Sequence, residues 1–333
     1  MSLRLLRAGA SSQHTRRALK RTRRQVSTQQ LLPPPINALV NHLSLRRLEH
    51  NLFSGQSYDP GWGRVFGGQV LGQAITAAQS TIDEPGRTCH SLHSYFLRPG
   101  DVSKPIVYDV DRIRDGQSFS ARRVKAIQNG HAIFFLTGSF HKPEDNAMEH
   151  EDSASLLKLD DVPPPDACLP VWELFDTHLH GVPDHLKNIF QKTFGPRSPV
   201  QIRPTSFQSP MEPIQKKPRQ DLWIRSNGKL PDDTDPAVHR ALLSFASDYG
   251  LLETALLPHA VSLWEPKQKV QAATIDHSMW FHHPFKFDEW FLHRVHAPVS
   301  SASRGLCFGE IIQDGVLVAS TAQQGLMRKM GTS

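Results

Sequence analysis

Asp248 is the residue whose surroundings point most directly to chemistry. It is the only charged side chain in residues 241–252. Its neighbours one helical turn away are apolar: Phe245, Leu251 and Leu252. Burying an unpaired carboxylate costs several kcal/mol, so this group needs either partners or a use such as general-base catalysis. Helix capping is the alternative, because Ser247-Asp248 could begin a new turn before residues 249–257.

Signatures of several common active sites are absent. The chain has no GxSxG nucleophile elbow and neither a GxxxxGK[ST] nor a GxGxxG phosphate-binding loop. Its 18 histidines include no HExxH pair. Its three cysteines, Cys89, Cys168 and Cys307, lack CxxC spacing. We therefore expect no metal site, no cofactor and no disulfide framework.

The elements that must position Asp248 begin with a segment of small and apolar residues without charge. Residues 66–79 (FGGQVLGQAITAAQ) predict a buried helix entered through Gly67-Gly68. Four predicted strands follow, at 90–97, 106–113, 119–127 and 132–140. The last two are joined at Asn129-Gly130, which is typical of a type I′ hairpin turn.

The second half of the chain repeats the first. It has predicted strands at 200–207 and 221–226 and a predicted helix at 237–257. Residues 93–96 (HSYF) resemble 277–280 (HSMW), and residues 127–130 (IQNG) resemble 312–315 (IQDG), at offsets of 184 and 185. Two matches in one order at nearly one offset indicate a tandem duplication of an α+β unit.

An antiparallel sheet wrapped around a central apolar helix is the hotdog architecture, so the predicted fold is a tandem, or double, hotdog of the α+β class. Known hotdog proteins act mostly on acyl thioesters, but this analogy of fold does not establish a reaction.

The repeat draws attention to two polar residues of the second half. Strand alternation puts Gln323 at the end of a semi-apolar face, and Thr274 precedes the second HS element by three residues. At the repeat offset Thr274 corresponds to His90, and Gln323 corresponds to Gly138. The halves therefore differ where these polar groups lie, although both residues also suit ordinary strand positions.

Composition divides the chain into four segments. Residues 1–35 form a basic segment that ends at three prolines, and folded sequence is expected from about residue 40. Residues 40–143 are predicted as the N-terminal hotdog and residues 200–330 as the C-terminal hotdog. Residues 144–199, with an acidic start and a helical pattern at 172–194, are predicted as the inter-domain connection.

The basic charge of the chain is concentrated at its N-terminus. Residues 1–30 hold eight basic residues and no acidic one, which leaves 30 basic and 32 acidic residues elsewhere. Nucleic-acid binding is therefore not predicted. The Arg-rich, acid-free segment resembles a mitochondrial presequence, with a disordered basic arm as the alternative. No apolar run is long enough to span a bilayer, so no membrane span is predicted.

Six segments of the chain resemble the acyl-CoA thioesterase II family, the TesB type. They match in order across residues 40–328: 51–74 (NLFSGQSYDPGWGRVFGGQVLGQA), 90–101 (HSLHSYFLRPGD), 115–130 (DGQSFSARRVKAIQNG), 245–248 (FASD), 273–285 (ATIDHSMWFHHPF) and 313–328 (QDGVLVASTAQQGLMR). The resemblance implies a double hotdog that hydrolyses fatty acyl-CoA. It also implies that Asp248, Thr274 and Gln323 are the catalytic residues.

This trio suits the hydrolysis of a thioester. The leaving thiol has a pKa near 8.5, so no strong general acid is needed. Asp248 can accept the proton of a water that Thr274 and Gln323 hold by hydrogen bonds. Backbone N–H groups after Gly67-Gly68 are candidates to receive the oxyanion. An anhydride route with Asp248 as nucleophile stays open.

Other predictions concern the substrate and the location of the protein. Arg122, Arg123 and Lys125 are candidates to bind the phosphates of coenzyme A (CoA), with solvated strand charges as the alternative. Rival functions are an enoyl-CoA hydratase that uses Asp276 with His277, and an acyl-CoA-binding protein without catalysis. The final residues 331–333 (GTS) depart from the SKL-like ending of peroxisomal members. A mitochondrial location is therefore preferred over a peroxisomal or cytosolic one, and homo-oligomerisation is left open.

Overall fold

A computed structural model describes residues 35–59, 61–144, 147–151, 159, 161–178, 182–265 and 270–330. The described elements belong to the unit Pro33–Ser333 and form two similar series. The first contains α1 (Pro35–Leu43), β1 (Arg46–Glu49), β2 (Leu52–Gly55), α2 (Gly67–Gln79), β3 (Thr88–Phe96), β4 (Ile106–Asp115), β5 (Phe119–Gln128) and β6 (His131–His141).

The second series follows a connection that has helices of its own. The connection contains a 3₁₀ turn (Pro165–Ala167), α3 (Val171–Asp176) and α4 (Asp184–Phe194). After it come β7 (Val200–Pro204), β8 (Arg219–Ser226), α5 (Pro236–Ala246), α6 (Leu251–Leu256), a 3₁₀ turn (Leu257–His259), β9 (Val270–Phe281), β10 (Phe291–Ser301), β11 (Arg304–Gln313) and β12 (Val316–Lys329).

All twelve of these strands form one antiparallel sheet in the order β1-β2-β4-β5-β6-β3-β9-β12-β11-β10-β8-β7. Each half of the sheet comes from one half of the chain, and β3 and β9 join the halves at the centre. Asn129 (φ 51°) and Asp314 (φ 52°), each followed by a glycine of positive φ, form the predicted tight turns. This arrangement confirms the predicted double hotdog.

The repeated HS elements lie opposite each other at this central junction. His93 pairs with Ser278 and Ser94 pairs with His277 in the register of β3 and β9. The His93 Nδ1 atom is 3.0 Å from Ser278 Oγ, and Ser94 Oγ donates to the His277 carbonyl oxygen at 2.8 Å. The two halves of the internal repeat are therefore related by a pseudo-twofold axis that lies between these two strands.

Helices α2 and α5 pack against each other on the inner face of the sheet. Glycines of α2 permit the close approach of the two backbones. A Cβ atom on Gly68 would lie 2.2 Å from the Phe245 carbonyl oxygen, and one on Gly72 would lie 3.0 Å from the Ala241 carbonyl oxygen. The small residues of the predicted buried helix are thus required by its contact with the other half.

Two local predictions were wrong. Ordered structure begins before residue 40, because α1 starts at Pro35 and buries Ile36 and Leu39; a proline is favourable in the first turn of a helix. The helix predicted at 237–257 is interrupted, since α5 ends at Ala246 and α6 begins only at Leu251.

Among the described residues, no helix has the length and apolar character needed to cross a membrane.

Candidate active site

Asp248 lies in the turn between α5 and α6, and its carboxylate reaches into the other half of the molecule. Gly68 N–H donates to Asp248 Oδ2 at 3.0 Å. Gly68 belongs to the first turn of α2, where the preceding Phe66 offers no side-chain cap. The carboxylate therefore caps α2 from outside and lies at the positive end of that helix dipole.

Neither local geometry predicted for Asp248 is found. The helix does not run through this position, because Gly250 adopts a φ of 83° and begins α6 with no side-chain cap. Asp248 thus caps no helix of its own half, and its partners come from elsewhere in the fold.

Thr274 and Gln323 join Asp248 from two neighbouring strands, β9 and β12. Thr274 Oγ1 donates to Asp248 Oδ1 at 3.4 Å, and Gln323 Nε2 donates to Thr274 Oγ1 at 3.3 Å. Both contacts are long for hydrogen bonds of this type. The three residues named from the sequence are therefore together, with donors directed toward the carboxylate.

The buried side chain of His277 is hydrogen-bonded to the side-chain amide of Gln323. The His277 side chain is 1% exposed, and its Nδ1 atom is 2.7 Å from Gln323 Oε1. A carboxamide oxygen only accepts, so the Nδ1 atom carries the proton. The Ser247 hydroxyl lies 3.1 Å from the Nε2 atom and donates to the Ser244 carbonyl oxygen at 2.9 Å. With its Oε1 atom bound to His277, Gln323 has its amide N–H groups directed toward Thr274.

Burial dominates the electrostatics of the site. It raises the pKa of the Asp248 carboxyl above its ordinary value, against the opposing effects of His277 and the hydrogen bonds that the carboxyl accepts. Burial also lowers the pKa of His277, in agreement with a neutral ring. The site therefore combines an uncharged imidazole with a carboxylate that is more basic than an exposed aspartate.

Asp248, Thr274 and Gln323 line one cavity of about 520 Å³. Most of its other lining residues are apolar or aromatic, and they come from both halves and from α4: Trp62, Val65, Phe66, Val70, Phe96, Leu97, Ile133, Phe134, Phe194, Tyr249, Leu252, Leu263, Trp264, Val270 and Ala272. Phe66 stacks on Tyr249 with ring centroids 5.0 Å apart. A largely apolar cavity with few polar groups at one wall suits a substrate with an apolar chain.

Glu253 is a second carboxyl in this cavity that the sequence reasoning did not single out. It lines the cavity, and burial raises its pKa to about 7. The sequence indicates His277 only as a hydratase residue and not as the partner of Gln323. The repeated HS element was the available signal for it, but its contact with Gln323 depends on the register of β9 and β12.

The predicted phosphate contacts on β5 do not line this cavity. Arg122 is fully buried, and its guanidinium donates to Thr81 and to Asp115, so its burial argues against binding a phosphate. Arg123 and Lys125 are half exposed and pair with carboxylates of β4. None of the three lines the cavity; its lining arginines are Arg64 and Arg98.

Two further predictions change with this geometry. The Gly68 N–H group is engaged by Asp248 and is not free for an oxyanion. His90 is not the counterpart of Thr274, because Cys89 pairs with Phe140 as Thr274 pairs with Gly325 in the strand registers; His90 is hydrogen-bonded through Nε2 to Ser139 Oγ at 2.8 Å. In the part of the chain that the structure describes, no group of three or more His, Cys, Asp or Glu is placed to hold a metal ion.

Comparison with solved structures defines the class of protein. An acyl-CoA thioesterase II, TesB2, from Mycobacterium marinum superposes with a TM-score of 0.65 at 32% identity, covering 89% of this chain and 99% of the other. A hotdog-fold protein from Alicyclobacillus acidocaldarius gives a TM-score of 0.66 at 20% identity, over 88% of this chain and 99% of the other. The class is that of double-hotdog thioesterases.

Sequence comparison gives the family. Family models for acyl-CoA thioesterase and for the acyl-CoA thioesterase N-terminal domain match residues 190–326 and 58–141. Human acyl-coenzyme A thioesterase 8 is 38% identical over 86% of this chain and 87% of its own length. Acyl-CoA thioesterase 2 from Haemophilus influenzae is 37% identical over 88% and 98%. The chain belongs to the acyl-CoA thioesterase family and is an enzyme of that class.

Proposed function

We propose that the protein hydrolyses fatty acyl-CoA thioesters to free fatty acid and CoA by direct attack of a water held by Asp248, Thr274 and Gln323. The observation that carries this proposal is the convergence of the Thr274 hydroxyl and the Gln323 amide on the Asp248 carboxylate in the cavity wall. All three side chains line the cavity, so a water in the cavity beside them can form hydrogen bonds to the group.

In the proposed reaction, the water oxygen accepts a hydrogen bond from Gln323 Nε2 and donates to Asp248 Oδ1. As the oxygen bonds to the thioester carbon, its proton passes to Asp248. The C–S bond then breaks, and the CoA thiolate leaves without a strong acid.

The surroundings support hydrolysis over hydration. A hydratase would need an acid and a base that both face the substrate. Neither Asp276 nor His277 lines the cavity, and Asp276 Oδ1 accepts from the Gln324 N–H at 3.0 Å. The apolar wall supports a fatty acyl chain as the group bound next to the water.

The first test is the variant Asp248→Asn, which keeps the shape of the side chain and removes the base. Released thiol, measured over a panel of acyl-CoA substrates, should fall by about 10²-fold or more in kcat, with little change in KM. Asn still accepts from Gly68, and a raised carboxyl pKa means that the charged form destabilises the fold. The melting temperature should therefore be equal to or above that of the wild type.

Matched variants separate catalysis from structure. Thr274→Ala and Gln323→Ala should also lower kcat. If the three residues hold one water, combining either change with Asp248→Asn should lower kcat far less than the two single effects together would. His90→Ala, a change in the first half of the chain, should leave kcat unaltered. A folded Asp248→Asn protein with wild-type turnover would falsify the assignment.

The role of His277 is positioning, and a pair of variants tests it. His277→Asn can place an amide N–H near the Nδ1 position and so keep the hydrogen bond to Gln323, whereas His277→Leu cannot. We expect kcat to fall about 10-fold or more in His277→Leu and to be largely restored in His277→Asn, with KM unchanged in both. Equal losses in the two variants, in step with their melting temperatures, would indicate a purely structural role.

We also propose that the basic segment directs the protein to mitochondria. The support is its eight basic residues without an acidic one; residues 1–34 lie outside the described part of the chain. Because α1 begins at Pro35, deletion of residues 2–30 leaves every described element intact.

The deletion variant, fused to a fluorescent protein at its C-terminus, should be cytosolic and should keep thioesterase activity. The full chain, imaged in the same cells, should be mitochondrial. A second variant, in which the arginines and the lysine of residues 1–30 are replaced by glutamine, should behave like the deletion. A peroxisomal or cytosolic full chain, or a deletion variant that stays in mitochondria, would refute the proposal.

A further inference from the structure

A second cavity of about 420 Å³ lies beside the catalytic one, where β10 turns into β11. Its polar lining consists of His259, Arg304, Lys329 and serines that include Ser301 and Ser303. None of the described residues that line it is acidic. A groove with basic side chains and hydroxyl groups, and without carboxylates, favours an anionic ligand.

The two basic side chains of this groove are available. Arg304 and Lys329 are exposed, and within the described ranges neither forms an ion pair with a carboxylate. By contrast, Arg123 and Lys125 on β5 are each paired with an aspartate. The basic side chains of the groove are thus free of carboxylate partners among the described residues, whereas those of β5 are paired.

The groove continues the catalytic cavity along β9. Val270 lines both cavities, and it lies opposite Lys329 in the register of β9 and β12. At about 3.3 Å per residue, Val270 is about 13 Å from Thr274 along β9 and Lys329 about 20 Å from Gln323 along β12. The cations are thus separated from the candidate water site by a defined length of strand.

That length matches the arm of CoA. About a dozen covalent bonds separate the thioester sulfur from the first phosphorus, which corresponds to four to five extended peptide residues, or about 15 Å. A thioester at Asp248 with its arm extended along β9 would bring its phosphates to the groove. Arg64 and Arg98 line the cavity that would hold the thioester itself.

We propose that Arg304 and Lys329, with His259 and the serines of the β10–β11 turn, bind the phosphate groups of the CoA part of the substrate. This inference rests on the proposed hydrolysis of acyl-CoA. It replaces the contacts on β5 as the phosphate site, and it assigns the direction in which the substrate lies: the arm of CoA follows β9 toward its first residue.

The test compares two substrates with the same acyl chain, an acyl-CoA and the S-acyl-N-acetylcysteamine that lacks every phosphate. In the double variant Arg304→Glu/Lys329→Glu, the ratio of kcat/KM for acyl-CoA to kcat/KM for the short thioester should fall by about 10-fold or more. The matched control Arg123→Glu/Lys125→Glu makes the same change of charge on β5 and should leave the ratio unchanged. Added salt should lower the ratio for the wild type and have less effect on the double variant.

The remaining outcomes are decisive in either direction. An unchanged ratio in Arg304→Glu/Lys329→Glu overturns the proposal, and so does a ratio that falls equally in Arg98→Glu or in the β5 control. A wild-type protein that releases thiol from neither substrate refutes the proposed function instead. In that case calorimetry with CoA alone decides the site: weaker binding to Arg304→Glu/Lys329→Glu than to the wild type supports it, and equal binding contradicts it.

Discussion

The hydrogen bond from Gly68 N–H to the Asp248 carboxylate is the interaction on which the candidate site depends. It joins the N-terminus of the first buried helix to the turn after the second, so it exists only when both halves are folded together. The bond supplies part of the stabilisation that a buried carboxylate requires. It also fixes the direction in which Asp248 faces Thr274 and Gln323.

The close packing of α2 and α5 keeps this bond in place. Gly68 permits the contact because even a methyl group there would collide with the carbonyl oxygen of Phe245. The two halves share a fold but not a site. In the strand registers, Cys89 and Gly138 occupy the positions that Thr274 and Gln323 occupy in the second half. The second half therefore carries the polar side chains of the site, and the first half contributes the N-terminus of α2.

The sequence predicts best what short-range chemistry determines. The glycine-rich apolar run predicts α2, and the Asn-Gly and Asp-Gly turns predict the hairpins, because local conformational preference decides both. Asp248 is conspicuous in the sequence because it is the one charge in an apolar stretch. Its actual partner, Gly68, is 180 residues away and cannot be inferred from neighbouring residues.

Errors arose where tertiary contacts override local patterns. The sequence around Arg122 is typical of an exposed strand. The side chain is instead buried, where its guanidinium donates hydrogen bonds to Thr81 and Asp115. The break between α5 and α6 includes Gly250, whose positive φ lies outside the helical range and changes the direction of the chain before α6. A glycine within a helical pattern is the sequence signal for such a break. His277 acquires its role only through strand register.

The pH dependence of kcat/KM tests most directly the claim that an ionised Asp248 activates the water. Because the base works deprotonated and burial raises its pKa, activity should fall with decreasing pH at an inflection above the value of about 3.9 for an ordinary aspartate. Glu253→Gln removes the other carboxyl of the cavity and should keep this inflection, whereas the residual activity of Asp248→Asn should lack it. An inflection that disappears in Glu253→Gln, or that persists in Asp248→Asn, would contradict the account.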